Sequence, residues 1–307
     1  NAAKMKTDTP LGSRIAEVHN GSSLFTGDAG SGESNARRYL IESDLVEAVI
    51  ALPEKMFYNT GIGTYIWVLS NKKEERRKGK IQLIDATTMK STLRKNMGEK
   101  NCELTPELRD EIMRIFMEME ESSVSRVFDN REFAYWSITV ERPLRLRVYP
   151  DRTIPADTFK KAEELEQVQK AIRSVPAGTP TDDWTVFAEA TKLKAAALKK
   201  IRPFITEKDP MAQPIDGEPD TDLRDTEIIP FTYEGGIDAF MKNEVLPYAP
   251  DAWVDEKKTQ IGYELSFTKY FYQPVQLRSM EEIVADLKKL ESETDGILAE
   301  ILGGVEQ

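Results

Sequence analysis

Apolar and polar positions along the chain fall into short extended runs first and helical repeats later. Residues 14–18, RIAEV, read as a short strand. Residues 45–52, LVEAVIAL, form a β-branched apolar run closed by Pro53, and residues 64–71, TYIWVLSN, and 80–86, KIQLIDA, repeat the strand signal. Between the first two runs lies NGSSLFTGDAGSGESNARRYL, residues 20–40. It predicts a helix over residues 35–42 with Ser34 as N-cap, whose hydroxyl can accept from a first-turn N–H. Residues 14–86 therefore read as β-α-β-β-β, with one crossover helix and then strands too close together for parallel crossovers. That is α/β architecture, the second half of a doubly wound, Rossmann-like sheet without its first half. The turn joining the last two strands, KKEERRKGK, carries six cations against two acids. It reads as a solvated hairpin tip, with a phosphate contact as the alternative.

Helical periodicity takes over from Thr105. Pro106 suits a first helical position, and Leu108, Ile112, Ile115, Phe116 and Met119 give an apolar stripe. Residues 132–146 look extended, and two helical patterns follow at about 157–174 and 184–201, set off by VPAGTPTDD and KDPMAQPIDGEPDTD. Near the end, Met280, Ile283, Leu287, Leu290, Thr294, Ile297 and Ile301 are spaced alternately three and four apart. This is a heptad seam with one polar break, and it wants a partner helix, either within this protein or on another. The expected organisation is a first region over residues 1–150, a helical segment with linkers over 151–224, and a mainly helical region over 225–307 ending in that seam.

Composition narrows the function classes. With 307 residues, 40% hydrophobic and 31% charged, the chain can bury a sizeable core. No run approaches the roughly 20 apolar residues that span a bilayer, and no secretion signal is evident, which predicts a cytoplasmic setting without a membrane partner. Cys102 is the single cysteine, so no internal disulfide can form. A net charge of −11 argues against a chain that grips nucleic acid unaided. The acidic residues show no metal-ligand spacing and no G-x-S-x-G turn occurs. The Gly-rich stretch has no lysine after its last glycine, and Gly27, Gly30 and Gly32 do not make G-x-G-x-x-G, so it reads as a flexible surface loop. His19 has no Ser, Cys or Asp partner in view and is assigned no role. Phe57 and Tyr58 precede the Asn59-Thr60-Gly61 turn and a strand, which places them at the sheet's rim. There an aromatic face can stack on a flat ligand, or Phe57 can fill the core beneath the loop.

Several stretches together resemble one family. They are residues 12–73, from GSRIAEVHNGSS to MFYNTGIGTYIWVLSNKK, then RKGKIQLIDA, ITVERPLRL and, near the end, VLPYAPDAWVDEKKTQIGYELSFTKYFY. In this order they resemble the modification (M) subunit of type I restriction-modification systems, DNA adenine N6-methyltransferases that use S-adenosylmethionine. The resemblance is weakest over residues 151–222. The family's Gly-rich cofactor turn and its Asn/Asp-Pro-Pro-Phe/Tyr motif do not occur here, and Asn1 and Ala2 read as the scar of a cleaved tag. The expectation is a C-terminal part of an M subunit, inactive alone, with no catalytic or cofactor-binding residue of its own and no metal. The resemblance implies that Phe57, with Tyr58 as neighbour and Asn59 beside it, stacks on an adenine swung out of the duplex. It places Asn20, Gly21 and Ser22 on a mobile loop at the carboxyl rim, near the extruded base and the DNA phosphates. It implies DNA, a specificity (S) subunit and a second M subunit as partners, and leaves an endonuclease (R) subunit open. Ile283, Leu287, Leu290, Ile297 and Ile301 would then dock the S subunit. The competing reading is a non-catalytic assembly module whose task is that docking.

Overall fold

A computed structural model describes residues 1–272 and 279–303. The predicted strands form: β1 (Arg14–Asn20), β2 (Val46–Leu52), β3 (Thr64–Ser70) and β4 (Lys80–Asp85). Two helices separate β1 from β2, a single turn α1 (Ser22–Phe25) and α2 (Gly32–Glu42). The N-cap of α2 is Ser31 rather than Ser34, its hydroxyl accepting from the Ser34 N–H at 3.3 Å. The Ser34 hydroxyl is buried and instead accepts from the Tyr263 N–H at 3.2 Å. A long-range partner took the residue that local pattern assigned to the cap. The stretch 20–31 is accordingly a helical turn followed by a tight turn, in place of the expected open loop.

After β4 come a hairpin, β5 (Ser91–Met97) and β6 (Lys100–Glu103), then α3 (Pro106–Glu118) and β7 (Ser125–Asp129). Helix α3 starts as predicted, with Thr105 accepting from the Leu108 N–H and Pro106 at its first position. The sheet order is β1-β3-β2-β4-β7. Strand β2 pairs antiparallel with β3 and parallel with β4. The parallel pair that seemed too close in sequence exists because β3 itself carries the chain back across the sheet. Every residue of β2 is buried, as expected of a strand covered on both faces. On one face Ala48, Ile50, Leu52, Val68 and Ile84 pack with Ile112, Ile115 and Phe116 of α3.

The basic turn is not a solvated hairpin tip. Its Lys73 and Arg77 are buried, at 8% and 2% exposure. Arg77 donates to Gln82 Oε1 at 3.2 Å and to the Phe116 carbonyl, and its guanidinium lies 4.3 Å from the Phe116 ring centre. Arg76 donates to the Met117 carbonyl at 2.5 Å. The last carbonyls of a helix have no partner within it, and these two arginines cap α3 from outside.

Strand β8 (Ala134–Glu141) and β9 (Pro143–Val148) realise the extended stretch. Beyond residue 150, helices alternate with short strands. Helices α4 (Ala162–Arg173), α5 (Trp184–Thr191) and α6 (Ala195–Ile205) pack Val168, Ile172, Trp184, Phe187, Ile201 and Ile205 onto Leu146 and Val148. Strands β10 (Thr206–Lys208) and β11 (Pro214–Pro219) flank β9, and β12 (Asp225–Pro230) pairs with β8. Helix α7 (Gly236–Phe240) precedes β13 (Trp253–Val254) and β14 (Gln260–Tyr263), which both pair with β8. Residues 1–266 form one compact unit. The remainder, a second unit, contains α8 (Phe267–Phe271) and α9 (Met280–Gly303). Among the described residues no helix is long and apolar enough to cross a membrane.

Asp44, between α2 and β2, couples this fold to pH. Burial pushes its carboxyl up, but Lys73 Nζ at 2.6 Å, the Gly79 N–H at 3.0 Å and Asn130 Nδ2 at 3.0 Å more than offset it, and the net shift is down. A depressed carboxyl stabilises the fold above its unfolded pKa and loses that contribution as pH falls through the folded value. Urea unfolding midpoints should therefore drop as pH falls below about 4, and Asp44→Asn should flatten part of that drop while lowering the midpoint at pH 7. An unchanged acid limb in the variant would remove Asp44 from this account.

Candidate functional site

Strand register defines the site. Asn20, the last residue of β1, and Leu52, the last of β2, both lie opposite Thr64 at the start of β3. Ala51 lies beside Asp85, the last residue of β4. The carboxyl ends of β1, β2 and β4 thus share one rim, and the connection from Leu52 to Thr64 emerges from it. On that connection Phe57 bridges back to Thr60. Phe57 is 36% and Tyr58 59% exposed, and Asn59 is exposed as well. Met56, not Phe57, packs against the apolar cluster under α3. The core-filling alternative falls to the preceding residue.

Asn20, Gly21 and Ser22 stand at the same rim but in a separate recess. Trp67 Nε1 donates to Ser23 Oγ at 3.1 Å, and that hydroxyl donates to the Asn20 carbonyl at 2.9 Å. Arg37 of α2, 4% exposed, donates to the Ser23 carbonyl at 3.3 Å and to the Tyr263 carbonyl at 2.7 Å. Burial pulls the Arg37 pKa down, while Tyr135, Glu264 and Glu33 raise it. A cleft of about 360 Å³ lies here, walled by His19, Asn20, Ser22, Thr26, Arg37 and Trp67 among others. Phe57, Tyr58 and Asn59 are not in its walls. The two groups of predicted residues therefore share a sheet edge without sharing a pocket. Tyr65, across from His19, lies between the groups; burial first, then the carboxylates of Asp85 and Glu54, hold its phenol above the ordinary value. A larger groove of about 770 Å³ lies far along the chain, beside Trp184, Lys192 and Asp216, and none of the predicted residues borders it.

Sequence reading missed the hairpin at this rim. The Glu99 N–H donates to the Tyr58 carbonyl at 2.9 Å, the Asn101 N–H to the Lys55 carbonyl at 3.0 Å, and Cys102 Sγ–H to the Glu54 carbonyl at 3.2 Å. The hairpin turn thus clasps the aromatic connection. Gly98 has φ +62, and a Cβ there would sit 2.7 Å from the Tyr58 carbonyl oxygen and 3.5 Å from its ring. The one available signal was Asn-Met-Gly-Glu at residues 96–99, a glycine in a polar turn between extended residues.

In α9 the seam residues whose side chains are described are partly to largely exposed. Met280 is 73%, Ile283 40%, Leu287 60% and Leu290 59% exposed. The side chains of Ile297 and Ile301 lie outside the described residues.

A family model described as N-6 DNA methylase matches residues 5–142, which include the whole five-stranded sheet and the hairpin. The methylase subunit of the type I restriction enzyme MjaVII from Methanocaldococcus jannaschii is 30% identical over 169 residues, 53% of this chain and 27% of that protein. The HindI methylase subunit from Haemophilus influenzae is 44% identical over 54 residues, 18% of this chain and 12% of that protein. The chain therefore spans about a quarter or less of these relatives. Among solved structures, the methyltransferase subunit of the type I restriction-modification system from Streptococcus thermophilus is 22% identical, with a TM-score of 0.34, over 39% of this chain and 24% of that one.

The clasp yields a direct test within the segment that the family model matches. Gly98→Ala forces a Cβ against a backbone oxygen at a left-handed φ and should cost about 1–2 kcal/mol locally. Hydrogen exchange should speed up at the Glu99 and Asn101 amides while the β2 amides stay protected. Unchanged exchange at both amides would show that the clasp does not depend on this glycine.

Proposed function

We propose that this chain is part of the modification subunit of a type I restriction-modification enzyme, which transfers a methyl group from S-adenosylmethionine to adenine N6 in its target DNA. One observation carries the reading: the N-6 DNA methylase segment presents Phe57 and Tyr58 on a clasped connection at the carboxyl rim, where an extruded base can be stacked. Phe57 is the stacking face and Tyr58 its neighbour. Asn59 stands ready for an edge hydrogen bond, and Asn20, Gly21 and Ser22 line the adjoining approach. The setting is cytoplasmic, with DNA, a specificity subunit and a second modification subunit as partners.

The Gly-rich turn does not fit S-adenosylmethionine. The turn before α2 is already filled: the Ser31 N–H donates to the Asp28 carbonyl, and the Ser34 N–H to Ser31 Oγ. A Cβ on Gly30 would lie 2.6 Å from Gln260 Oε1, so that side chain occupies the space above it. We assign the cofactor to other parts of the protein and derive no step through it.

The test uses the full-length subunit with its specificity subunit, target DNA and labelled S-adenosylmethionine. Labelled N6-methyladenine is expected, and cofactor binding without transfer would overturn the assignment. Phe57→Ala should lower the transfer rate by about tenfold to a hundredfold, the worth of one base–aromatic stack, and leave cofactor affinity within about twofold. An unchanged rate would refute the stacking role.

The exposed seam of α9 supports docking of the specificity subunit and keeps the assembly-module reading alive as a second function of the chain. Leu287→Asp with Leu290→Asp should abolish co-purification of the two subunits while the melting temperature of the chain stays the same. Intact co-purification would place the docking surface elsewhere.

A further inference from the structure

The hairpin β5–β6 is a basic ribbon in an acidic protein. Residues 90–103 hold four cations, Lys90, Arg94, Lys95 and Lys100, against two acids, Glu99 and Glu103, in a chain of net charge −11. Elsewhere arginines are held by carboxylates: Arg14 on Glu47, Arg114 on Glu111, Glu118 and Glu120, Arg142 and Arg145 on Asp251, and Arg147 on Asp209. Arg94 and Lys95 are exposed and meet no carboxylate among the described residues. Strand alternation puts Thr92, Arg94 and Asn96 on the open face, while Ser91 and Leu93 are half-buried. Arg94 on that face and Lys95 on the other, both exposed, give the two-stranded ribbon a positive edge, which matches the charge of a duplex whose grooves admit such a ribbon and whose affinity is dominated by phosphate neutralisation.

The ribbon is also not free to drift from the aromatic connection. Its turn is bonded to Tyr58, Lys55 and Glu54, so its cations are held at a fixed offset from Phe57. We propose that β5–β6 is a DNA-phosphate clamp: Arg94 and Lys95 neutralise backbone phosphates next to the target base, and the clasp at Gly98 to Cys102 transmits that register to the stacking aromatics. The inference rests on the methyltransferase reading for the identity of the duplex as ligand. A clamp of this kind contacts backbone, so it positions the DNA without reading its sequence. It also resolves how an acidic chain approaches DNA, because the favourable charge is local to the rim.

The experiment measures anisotropy of a short labelled duplex of mixed sequence titrated with the 307-residue protein over a range of salt concentrations. It compares wild type, Arg94→Ala with Lys95→Ala, and Lys160→Ala with Lys161→Ala as a charge-matched control in an exposed segment. The hairpin variant should bind about tenfold or more weakly, with a log–log salt slope reduced by close to two, and the control should stay within about twofold of wild type. Arg94→Lys with Lys95→Arg should restore binding. The clamp is overturned if wild type does not bind the duplex, if the hairpin variant binds like wild type, or if the control loses as much. Methyl transfer by the full-length subunit is read in parallel. Transfer with no hairpin effect on binding sinks the clamp alone; a hairpin effect with no transfer keeps the phosphate contact and sinks the methyltransferase reading.

Discussion

Glu47 is a carboxylate in the central strand, 1% exposed, and the sheet is organised around keeping its charge compensated. Arg14 of the edge strand reaches it with Nε at 3.0 Å and Nη2 at 3.2 Å, a two-pronged pair, and Arg77 from the β3–β4 connection approaches to 3.7 Å. An unpaired charge at that depth costs several kcal/mol, so β1, β2 and the connection must arrive together. Arg77 extends the constraint to α3 through the Phe116 carbonyl and ring, and Gln82 adds bonds to the Ile115 carbonyl and Ser125 Oγ at 3.0 and 2.9 Å. One end of the sheet is thereby locked by charge and capping.

Locking that end determines the character of the other. At the carboxyl rim the connections carry no comparable buried ion pair among the described residues; they are joined by backbone bonds from the hairpin to Lys55 and Tyr58, by the Cys102 Sγ–H bond to the Glu54 carbonyl and by the Trp67–Ser23–Asn20 relay. Exposed aromatics and cations sit there because the core does not need them. This division, a rigid scaffold with chemistry on connections at one edge, is what an α/β sheet offers a ligand.

Much of the scaffold was legible in the chain. The four first strands and the start of α3 follow from apolar runs, Pro53, Thr105 and Pro106, all local signals. Failures occurred where a distant partner decided. Ser34 lost the cap to Ser31 because Tyr263 claims its hydroxyl, and the basic turn looked solvated because the α3 acceptors of Arg76 and Arg77 come some forty positions later. The predicted helix over 184–201 breaks into α5 and α6 at Lys192, which adopts φ +58, a conformation periodicity does not reveal. At the rim, Phe57 and Asn20 reach the same sheet edge, as the strand ends foretold. The hairpin escaped notice because STLRKNMGEKNCE has almost no apolar alternation, which leaves the glycine turn at residues 96–99 as its one mark.

Tyr58 shows why that polar ribbon matters to the choice between the two aromatics. Its carbonyl accepts from Glu99 and its ring lies beside Gly98, so its backbone and side chain are both engaged by the hairpin turn. Met56, on the other side, is committed to the cluster under α3. Phe57 stands between a residue anchored in the core and a residue anchored on the ribbon, with its own backbone tied to Thr60. In the proposed stacking role, an aromatic ring held from both flanks would lose little further conformational entropy on meeting a flat base, which is the condition under which stacking yields most of its free energy. The cost of ordering the connection is met by the clasp before any ligand arrives.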